Sequence, residues 1–172
     1  MGTINYISKP AREGAFVHGR RGAIQSIILH SSCGHESGDI PTLRGEDPTH
    51  IVSVHWYVDK IGKIFHFVDN VNTAWHVGAA TEVRYSNSCS IGIEQEHLDQ
   101  TDEPWPDIQV QTTAKLCFAL AERYGPLSIA HHSQVAFPAG RKTDPVNFPS
   151  DVFWQAWSEA SQDTWDFAEV AA

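Results

Sequence analysis

The chain lacks any apolar run long enough to cross a bilayer, so no stable membrane insertion is expected. Its first residues, MGTINYISKPAREGAF, hold no apolar stretch of the secretory kind, which points to synthesis in the cytoplasm with no signal-directed route out. Cysteine is scarce. Cys33, Cys89 and Cys117 are odd in number, widely spaced and without a CxxC pair, which excludes a disulfide scaffold and a thiolate zinc knuckle. Cys117 falls in a helical pattern and reads as core, while Cys33 lies close to a histidine of interest. Basic charge is also short. Twelve Lys and Arg stand against 21 Asp and Glu, and a net charge of −9 argues against a nucleic-acid partner. There is no internal repeat, no low-complexity linker and no HExxH helix, so solenoids and zincin proteases drop out.

The 172 residues suit one domain, 1–172, with 41% hydrophobic residues to build one core. Residues 1–22 mix Gly, Pro and Arg and read as irregular. SIILHSS, 26–32, is a short apolar run ending in polar residues, the pattern of a strand covered on both faces, with His30 at its end. Residues 33–50 form a long Gly/Asp/Pro-rich loop with room for a short helix. VSVHWYVDKIGKIFHFV, 52–68, reads as a hairpin in which His55 and Tyr57 share one side and Trp56 and Val58 the other. In CSIGIEQE, 89–96, Ile91 and Ile93 point one way while Gly92, Glu94 and Glu96 point the other. Helices are expected over 106–127, stopped by Gly125 and Pro126, and over 148–160, with a short strand at 128–130 and a frayed tail. The fold class is therefore mixed α/β, one central mixed sheet flanked by helices.

Ten histidines is many for this length, and most take a surface or core reading by default. His30 stands out at the end of a buried strand. HHSQVAFPAGRKTDP, 131–145, puts two histidines, a basic pair and an aspartate in one short loop. A catalytic zinc takes three N, O or S ligands and keeps a position open. His30, His132 and Asp144 form one such set, although spacing alone leaves other trios open.

Read together, IILHSS, VSVHWYVDKIGKIFHFV, AWHVG, SIGIEQE and GRKTDP occur in the order found in type-2 N-acetylmuramoyl-L-alanine amidases, the zinc amidases related to peptidoglycan recognition proteins. The resemblance covers about residues 24–157, nearly the whole domain, and leaves no separate wall-binding domain. It implies Zn2+ held by His30, His132 and Asp144, with Glu94 acting on water and Lys142 facing the oxyanion. Glu96 is the rival to Glu94, and Arg141 can share the role of Lys142. The family often has Gly-His where this chain has His131-His132; neighbours on a strand face opposite sides, so one of the pair reaches the metal, and His132 is favoured. Residues expected along the substrate cleft are His55, Tyr57, Trp75, His76 and His131.

The resemblance further implies a monomer acting on bacterial peptidoglycan, either as a phage-type endolysin released by a holin or as a cytoplasmic anhydro-muropeptide recycling amidase. The reading of another class is a peptidoglycan-recognition module that binds without cutting. Such members tend to lose the ligand at the Asp144 position, which this chain keeps.

Overall fold

A computed structural model describes residues 1–171. Its centre is the run Ser26–Leu29 (β3), whose four residues are all buried. A strand this apolar needs neighbours on both edges, and it pairs in parallel with Ser90–Gln95 (β7) and Ser128–His131 (β8). Trp56–Val58 (β4) pairs in parallel with β7 and antiparallel with Ile64–His66 (β5). The turn between them is fixed by Asp59, whose Oδ1 accepts the Ile61 and Lys63 amides at 3.0 and 2.7 Å, and by Gly62 at φ 79°.

Both ends of the chain are strands, which corrects the reading of an irregular start and a frayed tail. Gly2–Ser8 (β1) pairs in parallel with β5 on one edge and with Trp165–Glu169 (β9) on the other. The seven strands run in the order β8-β3-β7-β4-β5-β1-β9. Phe16–Val17 (β2) and Thr73–Ala74 (β6) make a separate antiparallel pair. The helices are Glu36–Leu43 (α1), Asp107–Tyr124 (α2), the single turn His132–Val135 (α3) and Ser150–Ala160 (α4). Among the described residues no helix is long and apolar enough to span a membrane.

Strand alternation then sorts the residues. Ile27, Leu29, Ile91, Ile93, Trp56 and Val58 turn to one face and pack against Leu116, Leu120 and Phe153 of α2 and α4. Each such side chain contributes roughly 1.5–3 kcal/mol by leaving water. The alternate positions, Ile28, Gly92, Glu94 and Tyr57, face the loops, and the register sets Gly92 beside Ile28 and Glu94 beside Tyr57.

Candidate metal centre

His30 follows β3 directly, and its backbone N–H still bonds to Ile93 at 2.9 Å, so the strand carries its direction into the site. The buried Gln95 reaches round from β7 to donate to the His30 carbonyl at 3.1 Å. His132 opens α3 immediately after β8, and Asp144 returns on the loop beyond it, where its carbonyl accepts the Ser133 amide at 2.9 Å. Two segments far apart in sequence thus meet at the same end of adjacent parallel strands.

The ligating atoms converge. His30 Nδ1 lies 3.0 Å from His132 Nδ1, His132 Nδ1 lies 3.0 Å from Asp144 Oδ2, and His30 Nδ1 lies 3.5 Å from the same oxygen. Tetrahedral N/O ligands about 2.0–2.1 Å from an ion stand about 3.3 Å from one another, so the observed triangle fits a zinc-sized ion. All three residues are buried. Burial lowers the His30 pKa to about 4, which keeps its imidazole neutral and able to ligate. For Asp144, burial pushes upward, but the two imidazoles outweigh it and hold the carboxyl below its ordinary range.

The trio lines a cavity of about 340 Å³ together with Glu94, Lys142 and Trp75. Burial raises Glu94 well above an ordinary carboxyl, the charges of Asp144 and Asp39 add to this, and Lys142 pulls against it. Its rival Glu96 is tied up instead. Its carboxylate accepts the amides of Glu36 and Lys60 at 3.3 and 3.2 Å, so it anchors α1 and the hairpin turn. Arg141 is likewise committed, donating to the carbonyls of Phe137, Val77 and Ala79, and it does not line this cavity.

Of the expected cleft residues, Trp75 lines the cavity wall. His55 and Tyr57 do not. Both share the site's face of the sheet but are fully buried beneath it, the Tyr57 hydroxyl donating to Asp39 at 2.8 Å and His55 Nδ1 accepting the Gly92 amide at 3.0 Å. His131 points the other way, sits edge-on to Phe148 and caps α3. His76 borders the cavity, but its ring is spent behind His30, with Nδ1 2.9 Å from His30 Nε2. The long loop supplies wall residues that the sequence reading passed over, including Asp39, Thr42 and His50. The signal for them was only that loop's length and polarity. Cys33 also reaches the cavity, from a backbone at φ 56°.

The sequence model of the N-acetylmuramoyl-L-alanine amidase family matches residues 20–147. No curated protein matches the chain. Among solved structures, a selenomethionine derivative of AmpD superposes with a TM-score of 0.75 at 24% identity, over 88% of this chain and 93% of that one. The amidase AmiD from E. coli, in complex with anhydro-N-acetylmuramic acid-L-Ala-D-gamma-Glu-L-Lys, gives 0.67 at 24% identity, over 84% of this chain and 66% of its own. The endolysin LysCS from Clostridium intestinale gives 0.66 at 17% identity, over 91% and 94%. At these identities the likeness is one of fold.

Proposed function

Since the chain belongs to the N-acetylmuramoyl-L-alanine amidase family and is an enzyme acting on peptidoglycan, we propose that it cuts the bond between N-acetylmuramic acid and L-alanine with zinc held by His30, His132 and Asp144. The observation that carries this reading is the buried triangle of two imidazole nitrogens and a carboxylate oxygen opening on the cavity. Zinc bound there supplies Lewis acidity to the scissile carbonyl and to the attacking water. Glu94 takes the proton of that water and passes it to the leaving amine. Burial, which raises its pKa, makes Glu94 a stronger base toward that water than an exposed carboxylate. The Lys142 ammonium neutralises charge growing on the carbonyl oxygen. Trp75 offers a flat apolar surface to the substrate beside the reacting bond.

We further read the chain as a monomeric phage-type endolysin that waits in the cytoplasm for release. An endolysin of nearly the same extent, LysCS, supports this. The second reading, an enzyme of anhydro-muropeptides, is supported by AmiD, which holds such a fragment on the same fold. Digestion of purified sacculi with and without a chelator, read by mass spectrometry, tests the chemistry. The expected products are stem peptides with a free L-alanine amine beside uncut glycan, lost on chelation and restored by zinc. Cleavage that survives chelation overturns the metal, and intact sacculi that retain the protein overturn the reaction. Faster cutting of sacculi than of a soluble anhydro-muropeptide supports the endolysin, and the reverse order supports the second reading.

A further inference from the structure

The segment Trp75–Gly78 touches both histidines of the metal centre from behind. His30 Nε2 lies 2.9 Å from His76 Nδ1, and His132 Nε2 lies 3.1 Å from the Val77 carbonyl. The segment is itself pinned. Asn87 Oδ1 accepts the backbone amides of His76 and Val77 at 3.1 and 2.9 Å, and Arg141 donates to the Val77 carbonyl at 2.8 Å. Room for the His76 ring comes from Gly92, where a Cβ would stand 2.5 Å from the ring. A glycine on that strand face is thus a condition for bringing a second imidazole against His30.

Hydrogen-bond accounting then assigns the protons. The Ser90 hydroxyl donates to the Ser86 carbonyl at 2.8 Å. That leaves the Ser90 oxygen to accept from His76 Nε2–H, 3.2 Å away. A neutral His76 with its proton on Nε2 presents a lone pair at Nδ1, which accepts from His30 Nε2–H. His30 is then left with its lone pair on Nδ1, the atom facing His132 and Asp144. His132 reaches the same state by donating Nε2–H to the Val77 carbonyl. In the reversed chain the Ser90 proton would point at His76, and His30 Nδ1 would carry a proton into the metal position.

We propose that His76 is a positioning residue, holding His30 through the Ser86–Ser90–His76 chain in the one tautomer that can ligate metal. This rests on the reading of His30, His132 and Asp144 as the metal ligands. It gives His76 and Val77 a specific task, orienting both imidazoles from a single strap, while Trp75 of the same stretch lines the cavity.

Two measurements test it. Long-range 1H–15N spectra of the zinc-loaded protein report imidazole tautomers directly, and His76 is expected as Nε2–H with its Nδ1 accepting from His30. His76 found as Nδ1–H overturns the proposal. Zinc affinity, measured by competition with a chromogenic chelator, is expected to weaken about 10–100-fold in His76→Ala. It is expected to recover largely in His76→Asn, whose Oδ1 stands where Nδ1 stood. Wild-type affinity in His76→Ala, or no recovery in a folded His76→Asn, overturns it. Should His76→Ala fail to fold, Ser90→Ala keeps the ring and removes only the proton acceptor; mixed tautomers with several-fold weaker zinc support the proposal, and no change in either overturns it. A wild-type protein that binds no zinc instead sinks the ligand reading on which the proposal rests, an outcome visible before any variant is made.

Discussion

The two faces of the sheet are built from the same strands and do opposite things. In β3 and β7 the odd-numbered residues Ile27, Leu29, Ile91 and Ile93 meet α2 and α4 in a dry apolar layer. The even-numbered Gly92 and Glu94, continued by His30 and His132, face the cavity or the polar groups behind it. The dry face is held by contact area, which tolerates small shifts and fails gradually. The cavity face is held by directed lone pairs, which fail with the loss of one atom. Alternation lets one short strand serve both, because a residue and its neighbour never compete for the same side.

That division predicts that activity and stability are lost separately, and the largest effect belongs to the cavity face. Asp144→Ala is expected to abolish zinc retention and lower hydrolysis by more than about 10³-fold, while the metal-free protein keeps its melting temperature. Next comes Glu94→Gln, with kcat down about 10²–10⁴-fold and zinc content unchanged, read by turnover and metal analysis on one sample. On the dry face, Leu120→Ala is expected to cost about 2–5 kcal/mol in a denaturant melt. Its turnover per folded molecule should stay within about twofold. If Leu120→Ala loses turnover as steeply as stability, the faces are coupled and the comparison breaks.

How far the sequence could be read follows the same line. Helix α2 and strands β3, β7 and β8 were legible because their periodicity is local: Leu116 and Leu120 sit one turn apart, and Ile91 and Ile93 sit two apart. Strands β1 and β9 were not. Each is half polar, and each pairs with the other, with Gly2 against Trp165 and Tyr6 against Glu169, a pairing between opposite ends of the chain. The gathering of His30, His132, Asp144, Glu94 and Lys142 around one cavity was legible because five motifs kept their order. Depth was not. Parity put His55 and Tyr57 on the correct face, yet nothing local reveals that they are buried, with the Gly92 amide and Asp39 taking up their polar atoms. His76 was expected along the substrate cleft beside Trp75. Its actual surroundings, Gly92 and Ser90, come from a strand fourteen or more residues later.

The smallest expected effect is the sharpest, because it concerns a charge at the rim of the cavity face. Lys142 is exposed at the cavity edge, and its charge lowers the Glu94 pKa against the upward push of burial. A base works only when unprotonated, so with Glu94 as the proposed base activity is expected to rise with pH as Glu94 loses its proton. Removing the cation in Lys142→Met leaves burial and Asp144 less opposed, the Glu94 pKa climbs, and the acid limb of kcat moves to higher pH. The plateau should also fall, by about tenfold, which is less than a buried oxyanion donor is worth because this ammonium is screened by water. The two changes separate in salt. The limb shift of the wild type relative to Lys142→Met should shrink as ionic strength rises, since it is a through-space interaction across an open cavity. A plateau loss from direct contact with substrate should persist. A limb that stays in place while the plateau drops would mean that Lys142 acts on substrate alone and that the limb reports a group other than Glu94. A limb that moves to lower pH would reverse the sign of the interaction and remove Lys142 from the electrostatics of the base.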